Sequence, residues 1–206
     1  MSVEALDTLR RAAARHPRDP QGWSRLAQAY ERAGRVDDAL GAWAHALALD
    51  ATHTAARAAL AAPLVAHPHR ATWFTRVASV LLEAGAPELA EPFFRQALWL
   101  NPAEEAALLR LDDIVERRAR TVGRVASFDD DTGHGYVTTA RGLRVRLHYG
   151  AIGGEGSRPV QATQPVELTV VDTARGPGAA DVAPITRPDP LPFGPPAQAY
   201  QRAARR

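Results

Sequence analysis

Histidines and carboxylates are the side chains from which catalytic or metal chemistry would have to be built in this sequence. His67 and His69 flank Pro68 and suggest a metal site at first sight. No carboxylate pattern accompanies them, so a turn between helices is the better interpretation. The acidic pair at 112–113 is interpreted as a solvated helix face, and the three aspartates at 129–131 as a turn. These residues therefore predict neither a metal site nor an acid–base pair.

Motifs of covalent, phosphate-binding and metalloenzyme chemistry are also missing from the sequence. It contains no cysteine, which excludes disulfides and thiolate metal ligands. It has no H-E-x-x-H, no G-x-S-x-G and no phosphate-cradling glycine loop after a buried strand. We therefore expect a protein that is not an enzyme, with no catalytic residue and no cofactor.

Basic residues could instead bind an anionic partner, and all 25 of them are arginine. Their charge is balanced along most of the chain: residues 1–120 hold 15 arginines and 15 acids, and residues 121–187 hold seven of each. The net charge of +2 therefore comes from residues 188–206. A strongly basic footprint, the usual electrostatic mark of a nucleic-acid-binding protein, is not present.

The elements that must position these side chains fall into three predicted segments. Residues 1–120 are rich in Ala, Leu and Arg with helical periodicity, whereas residues 121–187 show short alternating runs rich in Val, Thr and Gly. Residues 188–206 are proline-rich and then basic, which predicts a disordered tail. No apolar run of about 18 residues and no signal-peptide pattern occurs, so we expect a cytoplasmic location without a membrane span.

Two windows of the first segment share the spacing of a helical repeat. The first opens at Pro20 and contains Trp23, Leu26, Ala27, Tyr30, Gly34, Ala39, Trp43 and Ala46. The second opens at Ala71 and contains Phe74, Val77, Ala78, Leu81, Gly85, Ala90, Phe94, Ala97 and Pro102. This pattern resembles the tetratricopeptide repeat, although a plain antiparallel helical bundle would look similar. The resemblance implies a protein or peptide partner, while Trp23, Trp43 and Trp73 are expected to lie in the core.

The rest of the first segment is predicted to complete this array. The two windows lie one and a half repeats apart, so residues 54–70 are predicted to form a single extra helix, broken near Pro63. Residues 2–16 are predicted to form the second helix of an incomplete leading repeat. Residues 103–120 have early acids and late arginines, which match the helix dipole and predict a capping helix with one wet face.

The second segment predicts five short strands, at 123–128, 134–138, 145–149, 166–171 and near 180–182. Turns at 129–133 and 140–142 and a long loop at 150–165 connect the first four. Alternating patterning in hairpin-like pairs favours a small closed antiparallel barrel. The residues predicted for its core are Val125, Val137, Leu147, Ile152, Val166, Leu168 and Val170.

Three stretches of this segment resemble the signature motifs of the bacterial cold-shock domain: GHGYV at 133–137, LHYGAI at 147–152 and RGP at 175–177. The resemblance covers residues 121–187 and implies an OB-fold. It also implies single-stranded RNA or DNA as ligand, with bases stacking on rings of the second and third strands and cations neutralising phosphates. The binding residues that it implies are Phe128, His134, Tyr136, Arg146, His148, Tyr149, Arg158 and Arg175.

Several of these positions depart from the family pattern. Ser127 stands where the family has an exposed Trp, and His134 and Arg146 stand where it has Phe. Loss of two full rings removes about 2–6 kcal/mol of stacking. The acids at 129–131 also repel phosphates, so we expect weak or divergent binding. Arginines are expected to compensate in part; they are Arg124, Arg144, Arg146, Arg158 and Arg175.

The predicted fold class is thus multidomain α and β: an N-terminal tetratricopeptide-like array (1–120), a five-stranded antiparallel OB-fold barrel (121–187) and a tail (188–206). The leading functional hypothesis is a single-stranded nucleic-acid-binding protein with a protein-interaction domain. The alternative is a protein–protein scaffold whose barrel has lost nucleic-acid binding. Phe128 is left open between a half-buried core position and a ligand contact.

Overall fold

The chain folds as two compact units in a computed structural model that describes residues 3–67, 69–153, 160–186 and 188. One unit lies within Met1–Phe93 and the other within Phe94–Arg187. Two predictions fall outside the described residues: the loop position Arg158, and the disordered tail beyond residue 188. The predicted domain limits at residues 120 and 187 stay predictions.

The described residues before the first strand contain seven α-helices, followed by a short 3-10 helix at Glu116–Arg118. Their bounds are α1 Val3–Arg15, α2 Pro20–Arg32, α3 Val36–Leu49, α4 Thr54–Ala66, α5 Ala71–Glu83, α6 Pro87–Leu100 and α7 Glu105–Val115. Within the described part of the chain, no helix has both the length and the apolar character needed to cross a membrane.

Local sequence signals explain where several helices begin and end. Asp19 caps α2, because its Oδ1 accepts a hydrogen bond from the N–H of Gln21 at 3.0 Å while Pro20 occupies the first helical position. Gly34 adopts φ +70° between α2 and α3, and Gly85 adopts φ +84° between α5 and α6. Only glycine enters this left-handed conformation without steric cost, so both predicted turn glycines are required.

The first unit buries the residues that the repeat pattern assigns to helix contacts. α3 packs against both α2 and α5, and Ala39 and Ala46 are almost fully buried where α3 meets its neighbours. Trp43 is buried and donates its indole N–H to Glu31 Oε1 at 2.8 Å. Trp73 is buried as well, whereas Trp23 is only half-buried. Trp43 and Trp73 are therefore core residues as predicted, and Trp23 is partly a surface residue.

The extra helix α4 is continuous through Pro63, so the predicted break at this proline is wrong. Pro63 is the fourth residue from the end of α4, so the hydrogen bond that it removes lies close to the end of the helix. Leu60 and Leu64 on either side are fully buried, and their burial holds the segment helical. His67 closes the helix by donating its N–H to the carbonyl of Pro63 at 2.9 Å.

The second unit contains a closed five-stranded barrel with neighbours in the order β1-β2-β3-β5-β4, where β4 also pairs with β1. The strands are β1 Thr121–Asp129, β2 His134–Thr139, β3 Arg144–His148, β4 Pro165–Thr173 and β5 Gly176–Pro184. Four of the five pairings are antiparallel, but β3 and β5 pair in parallel. A closed ring with an odd number of strands cannot alternate direction throughout, so one parallel pair is unavoidable. The predicted barrel is confirmed with this one departure.

A bulge in β1 decides which of its side chains face the barrel interior. Val125 lies opposite Val137, but Ser127, not Ala126, lies opposite Tyr136. The extra residue reverses the alternation, because successive side chains of a strand point to opposite faces. The interior then contains Val125, Val137, Val145, Leu147, Ile152, Val160, Val166, Leu168 and Val182. Six of the seven predicted core residues are among them, and the seventh, Val170, packs against this cluster half-buried.

Helix α7 packs against β1, and a buried carboxylate joins them. Asp112 is 3% exposed; its Oδ1 accepts from the N–H of Val122 at 2.9 Å and from the hydroxyl of Thr121 at 2.5 Å. Arg141 Nε lies 2.9 Å from the other oxygen of Asp112. The prediction of a solvated acidic pair is therefore wrong for Asp112, because its carboxylate is buried and accepts the hydrogen bonds of the first two residues of β1. The prediction holds for Asp113, which is exposed.

A second buried acid lies on β4. Glu167 is 9% exposed, and its two oxygens accept hydrogen bonds from Arg95 of α6 and Arg120. Arg120 also donates to the carbonyl of Asp181 at 2.9 Å. The end of α6, the start of β1, and strands β4 and β5 are thus linked by one charged cluster.

Candidate nucleic-acid interface

The outer face of β2 and β3 carries the predicted binding residues in opposed pairs. Tyr136 lies directly opposite Arg146, and His134 lies opposite His148. The alternate residues of the same strands, such as Val137 and Leu147, point into the barrel. Strand geometry therefore brings Tyr136, Arg146, His134 and His148 to one surface, as their spacing predicts.

The two histidines form a contact at the start of β2 and the end of β3. Their ring centroids are 4.8 Å apart with an interplanar angle of 56°. Nδ1 of His148 accepts a hydrogen bond from the N–H of Gly150 at 3.0 Å. This bond orients the His148 ring and leaves Nε2 as the nitrogen that carries the proton of the neutral ring.

Tyr136 is half-buried, and an arginine covers its ring. Cζ of Arg144 lies 3.9 Å from the ring centroid, which is a cation–π contact. Arg144 lies on β3 opposite Thr138 of β2, two residues along from the Tyr136–Arg146 pair, and its side chain reaches diagonally to Tyr136. A base that stacks on this face of Tyr136 must displace Arg144 or stack above it.

Arg146 points outward from β3 and is held by the turn between β4 and β5. Its Nη2 donates to Oγ1 of Thr173 at 2.7 Å, and the Thr173 hydroxyl donates to the carbonyl of Gly176 at 2.6 Å. The backbone of Arg146 lies beside Gly178 in the parallel β3–β5 pairing. Nε of Arg146 is buried and has no hydrogen-bond partner within the described residues.

An open cleft of about 430 Å³ lies beside these groups. Its lining includes six residues that matter for binding: His134, Arg146, His148, Val171, Thr173 and Arg175. The two arginines and the two histidines face it, and none of the described lining residues is acidic. The cleft is large enough for part of a nucleotide, since pockets for small molecules begin at about 300 Å³.

Tyr149 lies next to this surface but outside β3, which ends at His148. The prediction that Tyr149 closes the third strand is wrong, because it opens a 3-10 helix at Tyr149–Ala151. Its N–H donates to the carbonyl of Gly133 at 2.8 Å, and its side chain is 51% exposed. The ring of Tyr149 therefore remains accessible for stacking beside the histidine pair.

Phe128 does not share the outer face with Tyr136. The bulge places it opposite Gly135, where its half-buried ring packs against the barrel core. A Cβ at Gly135 would lie 2.2 Å from the carbonyl oxygen of Ser127 and 2.9 Å from Cδ2 of Phe128, so this close approach requires glycine. Of the two alternatives for Phe128, the structure favours the core position, and a ligand contact stays a prediction.

The predicted compensating arginines have different environments. Arg124 donates to Glu105 at 2.6 Å and to the carbonyl of Pro102, so its charge is used against the start of α7. Arg146 and Arg175 line the cleft, and Arg144 lies over the ring of Tyr136. The position of Arg158, the last of the set, lies outside the described residues.

The acidic turn at 129–131 lies at the end of β1, where Asp129 is opposite His134. Oδ1 of Asp129 accepts from the N–H of Asp131 at 2.9 Å and of Thr132 at 3.1 Å, which closes the turn as predicted. Gly133 completes it at φ +67°. The carboxylates of this turn border the binding surface but do not line the cleft.

The first unit has a smaller cleft of about 240 Å³ that includes Trp23, Tyr30, His45, Arg10 and Arg76. Trp23 and His45 stack with ring centroids 4.2 Å apart and an interplanar angle of 18°. Burial lowers the pKa of His45, while the charge of Glu83 acts in the opposite direction. Asp38 also lines the cleft and lies 3.5 Å from Arg76, so its charges are of both signs. This aromatic and charged surface is the candidate site for a protein or peptide partner.

Sequence reasoning missed three features of these sites: the covering of Tyr136 by Arg144, the role of Thr173, and the half-buried His45–Trp23 stack. Thr173 had a detectable signal, because it directly precedes the turn that carries the RGP motif at 175–177. Arg144 had none, since its neighbour in space is a residue eight positions away on another strand.

Comparison with known families follows the division of the chain. Residues 121–185 match the family described as 'Cold-shock' DNA-binding domain, and residues 20–53 match the tetratricopeptide repeat. The latter range coincides with the first of the two predicted repeat windows. Both predicted resemblances are confirmed, and with them the predicted fold class. Both matched families are non-enzymatic binding modules.

Curated relatives are similar to the barrel region. A cold shock-like protein of Bacillus cereus (CspC) is 38% identical over 63 residues, which cover 31% of this chain and 97% of the relative. A cold shock protein of Bacillus caldolyticus (CspB) is 35% identical over 63 residues, covering 31% and 96%. A cold shock-like protein of Escherichia coli strain K12 (CspC) is 35% identical over 68 residues, covering 32% and 99%.

Proposed function

The chain belongs to the cold-shock domain family, and on that premise we propose that its barrel binds single-stranded RNA or DNA. The observation that carries this proposal is the outer face of β2 and β3. There Tyr136, His134 and His148 lie together beside a cleft with two arginines and no acid among its described lining residues. Rings that accept stacked bases, next to cations that attract phosphates, are the chemistry that single strands require.

The affinity that we propose is weak to moderate. The face of Tyr136 is covered by Arg144, and the barrel has Ser127 and Arg146 at outward positions where rings would stack bases. Each stacked base contributes about 1–3 kcal/mol, so two missing rings reduce affinity strongly. Arg146 and Arg175 offset part of this loss through attraction to phosphates.

Binding is tested by fluorescence anisotropy of labelled oligo-dT and oligo-U, each about ten nucleotides long to match the site of one OB-fold. We expect saturable binding that weakens as salt increases, and a further loss in Tyr136→Ala and His148→Ala. Arg117→Ala is the surface control. Arg117 is exposed and precedes Thr121 at the start of β1, whereas His134 lies opposite Asp129 at the end of that strand. No binding at tens of micromolar protein in low salt would contradict the proposal and favour the scaffold alternative.

We further propose that the helical unit binds a protein or peptide partner, so that the whole chain is a non-enzymatic adaptor in the cytoplasm. The cleft with Trp23, His45 and Arg76 supports this, since aromatic and arginine side chains dominate binding energy at protein interfaces. The test compares proteins retained by the full chain with those retained by Arg76→Ala, with Arg117→Ala as control. Selective loss of a partner in Arg76→Ala is expected; identical retention by all three would contradict a role for this cleft.

A further inference from the structure

We propose that the cleft beside Arg146 binds a phosphate of the single strand rather than a base. This inference rests on the proposed function of the barrel and assigns a ligand group to one part of its surface. The cleft lies between β3 and the turn that joins β4 to β5. Tyr136 lies opposite Arg146 on the neighbouring strand, and Tyr149 directly follows His148 of the lining. Arg146 then determines which part of the nucleic acid contacts the protein: the sugar–phosphate backbone at the cleft and the bases at the neighbouring positions.

The guanidinium of Arg146 is already oriented in the unliganded protein. Thr173 accepts its Nη2–H at 2.7 Å, and the Thr173 hydroxyl is itself oriented by donating to Gly176. Arginine loses much side-chain entropy on binding, and a side chain held in advance loses less. Nε of Arg146 is buried without a hydrogen bond inside the described region. A buried donor without an acceptor is unfavourable, so an anion that enters with a small shift of the side chain gains the hydrogen bond now missing.

Among the described residues that line the cleft, the arginine and histidine side chains present hydrogen-bond donors. Arg146 and Arg175 can only donate. His148 has its Nδ1 occupied by the N–H of Gly150, which leaves Nε2–H as a donor. The Thr173 hydroxyl adds no donor, because its proton is used by Gly176, and its oxygen already accepts from Arg146. A phosphate has acceptor oxygens only and carries a negative charge, whereas the Watson–Crick edge of every base presents a donor as well as an acceptor and carries no charge. The donor set and the positive charge therefore fit a phosphate better than a base.

The consequence is a mixed mode of binding along the strand. One phosphate lies in the cleft against Arg146, and bases on either side reach the rings of Tyr136 and Tyr149. Binding then depends on salt through this contact: for single strands each neutralised phosphate adds about 0.7 to the slope of log affinity against log salt.

The decisive experiment is a double-mutant cycle between the protein and the strand. The protein is the full chain, either with Arg146 or as Arg146→Gln. The probes are labelled oligo-dT strands of about ten nucleotides, fully charged or with a single methylphosphonate, which is neutral, at each linkage in turn. We expect Arg146→Gln to weaken the charged strand about tenfold and to lower the salt slope by about 0.7. At one linkage the neutral methylphosphonate should lower the affinity of the wild type by a similar factor and leave the affinity of Arg146→Gln almost unchanged.

Arg117→Gln is the matched control, because it removes one exposed arginine charge from the 3-10 helix that precedes β1 and should leave the cycle unchanged. Thr173→Val is the second variant; it keeps both arginines but removes the acceptor that orients Arg146, and a smaller loss at the same linkage is expected. If Arg146→Gln does not fold, the cycle with Thr173→Val decides. If the affinity losses caused by Arg146→Gln and by the methylphosphonate are additive at every linkage, or if the salt slope is unchanged, the phosphate site is overturned, although single-strand binding is not. No binding of any strand by the wild type would overturn the proposed function first.

Discussion

The guanidinium of Arg144 lies over the ring of Tyr136, with 3.9 Å between Cζ and the ring centroid. The same surface therefore holds its best stacking ring and a cation that competes for that ring. Cation–π contacts at exposed sites contribute about 0.5–1 kcal/mol, which is less than one stacked base. A strand can displace Arg144, but the displacement reduces the net gain from stacking on Tyr136.

Arg144→Ala is expected to strengthen binding at high salt. There the attraction of Arg144 for phosphates is screened, and removal of the covering side chain exposes the Tyr136 ring. We expect oligo-dT to bind about two- to fivefold more tightly to the variant in high salt. Anisotropy titrations at low and high salt measure this, with Arg117→Ala as the arginine control. Weaker binding of Arg144→Ala at both salt concentrations would show instead that Arg144 contacts the strand directly.

Asp112→Ala is expected to destabilise the start of β1. The substitution leaves the buried N–H of Val122 without its acceptor, and it removes a partner of Thr121 and Arg141. An unsatisfied buried group costs about 1–3 kcal/mol, so hydrogen exchange of the Val122 amide should accelerate about tenfold or more. The control is Asp113→Ala on the same helix, whose carboxylate is 53% exposed and lies 3.4 Å from Arg141. Equal exchange rates in the two variants would contradict the role of Asp112.

Glu167→Ala is expected to lower the free energy of unfolding by about 3–5 kcal/mol, because it leaves Arg95 and Arg120 around a buried position without the carboxylate. Glu167→Gln keeps a hydrogen-bond acceptor without the charge, so its free energy of unfolding should decrease less than that of Glu167→Ala. Urea denaturation followed by circular dichroism measures both. Asp172→Ala is the control, as Asp172 is an exposed acid on the same strand. A loss as small as that of the control would show that the cluster contributes little to stability.

Because His45 is partly buried, we expect the free energy of unfolding to decrease in acid. Burial lowers its pKa below the ordinary value of 6.5. The unfolded chain therefore takes up this proton from about pH 6.5 downward, and the folded protein does so only at lower pH. Above pH 6.5 the effect is absent; as pH falls below 6.5, through the pKa of folded His45, the free energy of unfolding decreases.

Thermal unfolding at pH 7.5 and at lower pH tests this dependence on His45. His45→Phe keeps a ring that can stack on Trp23 and removes the titrating group, so its melting temperature should decrease less in acid. His16→Asn, at an exposed position, is the control and should follow the wild type. The same acid dependence in His45→Phe as in the wild type would contradict the assignment.

Much of the site could be predicted from the sequence, and particular residues show why the rest could not. The alternation in β2 and β3 placed His134, Tyr136, Arg146 and His148 on one face, since that relationship depends only on the period of a strand. Phe128 could not be placed in the same way. A bulge of one residue reversed the faces of β1, and nothing in the local pattern marks where such a bulge occurs.

The sequence by itself determined the classes of fold, the turn glycines, the barrel core and the set of arginines. Only the tertiary structure decided what each arginine does. Arg124 binds Glu105, Arg141 binds Asp112, Arg144 covers Tyr136, and Arg146 binds Thr173. Arginine side chains are long, and these partners lie on other elements of the fold. Their choice therefore depends on how the strands and α7 pack together, which the periodicity of any single segment does not contain.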